Sequence, residues 1–194
     1  MPRKVDHDER RRHIVEALLH IAGTQGLDAV SLREVAQQAG VSMGAVQHYF
    51  ATKEQMIAYA LEHWLSLSVH ERFSARVRER VQAGTPLLRA VVAEYLPHDE
   101  PSRFDARVGA AFLARGAVDT SLHETLSKAV RAFTGTVAAL LPTTKDPSFE
   151  ARRLAALLDG LRYAVLMGAL TPDEALTVAE RHLQDLDPTT QPHP

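Results

Sequence analysis

The sequence predicts an all-α chain of about nine helices, on three observations. No stretch sustains a period-two alternation of apolar and polar residues, and apolar residues recur instead at spacings of three and four. Capping residues, glycines and prolines punctuate the chain where such runs begin and end.

From Asp8 to Gln25, Ile14, Val15, Leu18, Leu19, Ile21 and Ala22 line one helix face, and Gly26 stops the run. Ser31 with Glu34 three residues on is a capping box that opens a short second helix to about Ala39, and Gly40 supplies a left-handed turn. Ser42 caps a third helix, Met43 to Phe50. Thr52 with Gln55 is another capping box and opens a longer helix through Met56, Ile57, Ala60, Leu61, Trp64, Leu65 and Ser68 toward Gln82. Gly84-Thr85-Pro86 breaks the pattern, with Thr85 expected as cap and Pro86 at the first helical position of a helix through Tyr95. Pro97 and Pro101 bound a loop, and Phe104, Val108, Ala111 and Phe112 line a helix ending near Gly116. Two long apolar helices follow, Ser121 to Leu141 and Phe149 to Leu170, separated by PTTKDP. Thr171-Pro172-Asp173-Glu174 then opens a last helix to about Asp185. The expected division is a three-helix unit over residues 1–53, a larger helical unit over 54–187 reached by a long helix, and a disordered tail over 188–194.

Composition excludes several classes of function. The chain of 194 residues has no Cys, so it holds no disulfide, thiolate nucleophile or cysteine-ligated metal, which suits a reducing cytoplasm. No segment has the roughly 18 uninterrupted apolar residues of a membrane span, and MPRKVDHDERRR offers no apolar signal core, so a cytoplasmic protein without a membrane partner is expected. There is no GxSxG, P-loop, HExxH or glycine-rich dinucleotide turn, and no enzyme activity or cofactor is expected. His63 and His70 share a helix face, but without a carboxylate at ligand spacing they predict no metal. Net charge is −2. Residues 1–53 carry seven Lys/Arg against six Asp/Glu, the rest fifteen against eighteen, which neither demands nor excludes a nucleic-acid partner.

Two short helices joined by AGVS have the geometry of a helix-turn-helix, whose second helix can enter a major groove. The same spacing also occurs in plain helical bundles. The residues go further. From Ile14 to Ile57 the segments IVEALLHIAGTQGLDAVSLREVAQQAGVS, MGAVQHYF and ATKEQMI resemble the tetracycline-repressor family of bacterial regulators. In combination they satisfy G-x-D/E-x-x-[ST]-hydrophobic-R-x-[VI]-A-x-x-[AL]-G-V-S followed by Y-F-x-x-K-[ED]. One departure is Gln47, where the family commonly has Tyr.

The resemblance implies an N-terminal DNA-binding domain, a C-terminal ligand-sensing and dimerising domain, and a homodimer on a double-stranded, pseudo-palindromic operator released by a small-molecule effector. It implies that Ser42, Met43, Gly44, Ala45, Gln47, His48 and Tyr49 face DNA, with Ser31 among the DNA-binding residues and Lys53 gripping a phosphate; Arg33 either reaches the backbone or forms a surface ion pair, Gln47 otherwise stays solvated, and His48 otherwise packs on the unit's own core. The chemistry is consistent. Gly44 removes a side chain where backbone must approach the duplex, Gln47 can pair with adenine, and Met43 or Ala45 can meet a thymine methyl. Val46 and Phe50 fall on the opposite face and are expected in the core. Arg3 and Lys4 either follow a minor groove or are simply solvated.

In the larger unit, FDARVGAAFLARGAVDTSLHETL resembles the choline-regulator type of C-terminal domain in this family. Trp64, Leu67, Tyr95, Phe104, Val108, Phe112 and Tyr163 are expected to line an effector pocket, while Arg103, Arg107 and Arg115 would favour an anion if one points inward. The two long helices are apolar over more than a narrow stripe. Val130, Phe133, Val137, Leu154, Leu157, Leu158 and Leu161 therefore either meet a two-fold mate in a four-helix bundle or fill the chain's own core.

Overall fold

The computed structural model describes residues 2–141 and 146–186, without the side chains of residues 2–6 and 69. The expected tail, most of the PTTKDP connection and the side chains of Arg3 and Lys4 lie outside the described residues. Among the described residues every regular element is helical. They are α1 (Pro2–Gln25), α2 (Leu32–Gln38), α3 (Met43–Tyr49), α4, α5 (Leu87–Tyr95), α6 (Glu100–Gly116), α7 (Thr120–Leu140), α8 (Pro147–Leu166) and α9 (Pro172–Leu186), with a 3₁₀ turn at Leu27–Ala29. Helix α4 consists of three abutting stretches, Lys53–Trp64, a π-helical Leu65–Phe73 and Ser74–Gln82. The long fourth helix is thus present, but its middle carries i→i+5 bonding where unbroken α-helix was expected. That middle, LSLSVHERF, includes two serines and a valine, which hold an α-helix less well than Leu, Glu or Arg.

The chain divides into two compact units, one of Met1–Val69 with Arg107–Leu126, the other of His70–Ala106 with Ser127–Pro194. In the first, α1 packs on α2 and α4, and α2 on α3. The stripe read from the sequence, Ile14, Val15, Leu18, Leu19, Ile21 and Ala22, is buried there, as are Val35, Val46, Phe50, Met56 and Leu61. Gly26, at φ 86, ends α1 in a conformation that L side chains rarely adopt. Two bonds across the unit tie helix ends down: His13 Nε2 meets the Ala39 carbonyl at 2.8 Å, and Arg107 Nε donates to the Gly23 carbonyl at 3.0 Å.

In the second unit α5, α8 and α9 enclose a core of Val92, Leu96, Val137, Leu154, Leu158, Leu161 and Val165, with Ala175, Ala179 and Leu183 from α9. Glu94, buried on α5, accepts from Arg76 Nε at 2.8 Å and from Arg80 Nε, locking the last stretch of α4 to α5.

Three boundaries differ from the sequence reading. Thr85 does not cap α5: its N–H closes the end of α4 on the Arg80 carbonyl at 3.0 Å, and Pro86, at ψ 140, precedes the first helical residue. Helix α6 begins at Glu100 with Pro101 in its first turn, because Asp99 and Ser102 exchange bonds of 2.8 and 3.0 Å in a capping box that the prolines disguised. Helix α8 starts at Pro147 behind an Asp146 cap and stops at Leu166, where Gly168 at φ 70 turns the chain and the Ala169 N–H returns to the Ala164 carbonyl at 2.9 Å.

Candidate nucleic-acid interface

The α2-turn-α3 segment is built from capping chemistry. Ser31 Oγ accepts from the Glu34 N–H at 3.1 Å and donates to the Glu34 carboxylate. At the other end of α2, the Val41 N–H reaches the Ala36 carbonyl at 3.0 Å and the Gly40 N–H the Gln37 carbonyl at 3.2 Å, a pair that requires the φ of 65 at Gly40. Ser42 then caps α3 through the Ala45 N–H at 3.1 Å. The next cap follows immediately, Thr52 Oγ1 accepting from the Gln55 N–H at 3.1 Å while Gln55 accepts from Ala51 at 2.9 Å.

Helix α3 has two distinct faces. Val46 and Phe50 are fully buried, in agreement with the spacing argument. Ser42, Met43, Gly44, Gln47 and His48 are exposed, and Ala45 and Tyr49 are half-buried. Arg33 is exposed on α2, Ser31 half-buried at its start, and Lys53 half-buried at the first position of α4. No Asp or Glu occurs between Ser42 and Lys53, so the exposed face is free of acidic repulsion toward a polyanion. A Cβ at Gly44 would meet only Ser42 Oγ, at 3.9 Å, and nothing in the chain's own packing requires glycine there.

Sequence reasoning missed two contacts that steady α3. The Arg11 guanidinium of α1 lies 3.8 Å from the Tyr59 ring centroid and 5.0 Å from that of Phe50, a cation–π clamp at the C-terminal end of α3. His7 meets Tyr49 at 4.6 Å and His48 at 6.0 Å between ring centroids. The basic run Arg10-Arg11-Arg12 was visible, but which cation turned inward was not.

The expected effector residues fall in both units. Trp64 stacks on Phe112 at 5.9 Å, and with buried Val108 and half-buried Leu67 they belong to the unit that holds α3. Tyr95, Phe104 and Tyr163 belong to the other. Tyr95 stacks on Phe133 at 4.4 Å, donates to Asp159 at 2.6 Å and lies under the Arg162 guanidinium at 3.9 Å; burial, above all, pushes its hydroxyl pKa upward. Tyr163 is 40% exposed, because α8 turns Leu154, Leu158 and Leu161 inward and leaves it on the far side. Of the three arginines considered, Arg107 is bonded to the Gly23 carbonyl and Arg115 to Asp119 at 3.1 Å.

Burial divides the residues offered either as dimer face or as core. Val137, Leu154, Leu158 and Leu161 are buried in this chain's own core and have no surface left for a mate. Phe133 and Leu157 are half-buried against that core, and Val130 is 49% exposed. A different seam is open on α8 and the residue after it: Phe149, Ala156, Gly160, Tyr163 and Met167 are exposed at spacings of seven, four, three and four.

A two-faced helix behind a glycine turn, capped at its N-terminus and steadied from α1, has the form of a helix-turn-helix, the motif of DNA-binding regulators. Residues 14–60 match the family described as bacterial regulatory proteins, tetR family, and residues 84–188 match the BetI-type transcriptional repressor C-terminal domain. The chain belongs to the tetR family of transcriptional regulators, with a BetI-type C-terminal part. Among curated relatives, the HTH-type transcriptional regulator BetI of Burkholderia cenocepacia is 31% identical over 94% of this chain and 96% of its own, and PksA of Bacillus subtilis is 28% identical over 96% and 94%. A transcriptional regulator from Rhodococcus sp. Rha1 is 32% identical with a TM-score of 0.79, over 91% of this chain and 95% of that one. A regulator from Saccharomonospora viridis, solved in complex with choline, shares the fold at 21% identity and a TM-score of 0.79, over 91% and 96%. No helix among the described residues is long and apolar enough to cross a membrane.

Proposed function

We propose that this regulator binds a pseudo-palindromic operator as a homodimer, through reader domains of residues 1–53, and leaves it when a small-molecule effector occupies the part from residue 54 onward. The observation that carries the DNA placement is Gly44. Its open surroundings give no intrachain reason for glycine, whereas close backbone approach to a duplex gives one. On either side of it, Met43 or Ala45 reaches a thymine methyl, Gln47 pairs with adenine, and the helix N-termini, with Lys53, meet phosphates.

The open seam on α8 supports a two-fold mate, since Phe149, Tyr163 and Met167 would otherwise stay in water around the small residues Ala156 and Gly160. The choline complex of the Saccharomonospora regulator supports an effector role for this architecture. The helical run from Lys53 to Gln82 begins at the reader's last cap, so an effector that tilts it changes the separation of the two readers.

Electrophoretic mobility of the upstream intergenic DNA tests the reading. Lys53→Ala weakens binding to every sequence and lowers the slope of log K against log salt by about 1, while Gln47→Ala weakens it only at selected base positions. Operator binding like wild type by both variants would show that α3 is misplaced on the duplex.

A further inference from the structure

Trp64 closes the first stretch of α4 and is 9% exposed, its ring stacked on that of Phe112 with planes 27° apart. Its Nε1–H is shut off from solvent and finds no acceptor among the described residues. An indole N–H can only donate, and a water or a ligand can supply the acceptor that the described residues do not. Phenylalanine would supply the same stacking without a buried donor. The position in the helix adds a second, independent observation: Leu65, the next residue, opens the π-helical stretch to Phe73, and π-type turns within α-helices recur at functional sites. The ring packed on Trp64 bears on the charge of what fits: Phe112 is fully buried and apolar, so a charged ligand group there would lose its hydration.

We propose that the Trp64 Nε1–H is the polar anchor of the effector site, and that the site takes a neutral, ring-bearing apolar molecule through a carbonyl-type acceptor. The proposal rests on the effector reading above, but concerns binding and not DNA release. A quaternary ammonium could use only the ring faces and would leave the donor unmet.

Trp64 is the only tryptophan in the chain, so its emission and its single indole ¹⁵N–¹H resonance report on this place alone. Acetophenone and ethylbenzene serve as probes with and without the acceptor, and choline as the cation. Acetophenone is expected to bind the full-length protein about tenfold more tightly than ethylbenzene, the worth of one neutral hydrogen bond to a stranded donor, and to move the indole resonance downfield. In Trp64→Phe, followed by calorimetry, the tenfold preference of acetophenone over ethylbenzene disappears. Equal affinity for the two probes, an unmoved indole resonance, a preference that survives in Trp64→Phe or choline binding more tightly than acetophenone overturns the proposal; so does no binding at all, the donor then serving only a buried water. The indole resonance decides the matter even if the variant does not fold. Operator release is read separately on the same protein, so an anchor that binds while no compound releases DNA removes the effector reading and leaves the anchor.

Discussion

At the level of single residues, Gly44 and Arg11 pull apart folding and DNA binding. Gly44→Ala places a methyl in ordinary contact with Ser42 Oγ and removes the entropic cost of glycine in a helix, so stability stays level or rises by about 0.5 kcal/mol. If the duplex approaches Gly44 as proposed, the same methyl obstructs it and operator affinity falls at least tenfold; thermal unfolding and mobility shift on one preparation check both signs. Arg11→Met keeps much of the stem and loses the cation over Tyr59 and Phe50, which costs about 1 kcal/mol, read as a lower denaturant midpoint at unchanged m-value. Arg11 also marks how far single positions could be read in advance. Val46 and Phe50 were legible because helix phase is local. Arg11 was not, because its partners stand 39 and 48 positions away along the chain and three adjacent arginines offer no phase to choose among them.

At the level of elements, caps decide where helices begin, and the ones that were missed are those where two local signals compete. Thr85 could cap α5 or close α4, and the Gly84 turn before it wins; Gly168 ends α8 although apolar residues continue to Leu170. The Asp99–Ser102 box at the start of α6 yields a pH dependence whose direction follows from its cause. The Ser102 hydroxyl and N–H bonds hold the Asp99 carboxyl below its ordinary range, so the folded state binds that proton less readily than the unfolded one. The stabilisation is complete above the ordinary carboxylate pKa and is lost as pH falls through the lowered value. Ser102→Ala therefore lowers stability at pH 7, and the gap between variant and wild type narrows toward pH 3, as pH-stepped urea melts would record; a gap that widened on acidification would contradict the assignment. Glu94 holds the last stretch of α4 to α5 through Arg76 and Arg80. Because those arginines are 25% and 37% exposed, Glu94→Gln costs about 2 kcal/mol, below the roughly 3–5 kcal/mol of a fully buried pair.

At the level of the whole molecule, periodicity separates the buried face of a helix from the wet one but cannot say which chain does the burying. This is why Val137, Leu154, Leu158 and Leu161 read equally well as a dimer face and as core, and only the packing of α5, α8 and α9 resolves them as core. What remains open on α8 is narrower and has the form of a helix seam, large residues at Phe149, Tyr163 and Met167 flanking small ones at Ala156 and Gly160 that let a second helix come close. A charge at its middle should be tolerated by the monomer, since a Cβ at Gly160 meets nothing within 4 Å. If α8 carries the two-fold mate as proposed, Gly160→Glu is thus expected to leave the far-UV circular dichroism unchanged while the mass from light scattering drops from that of a dimer to that of a 21.4 kDa chain. If the operator is read by paired α3 helices, affinity for the full palindrome then falls by at least about a hundredfold and affinity for an isolated half-site does not, because the lost quantity is the effective concentration of the second reader. A variant that stayed dimeric would move the mate to another face, with exposed Val130 on α7 the next position to charge.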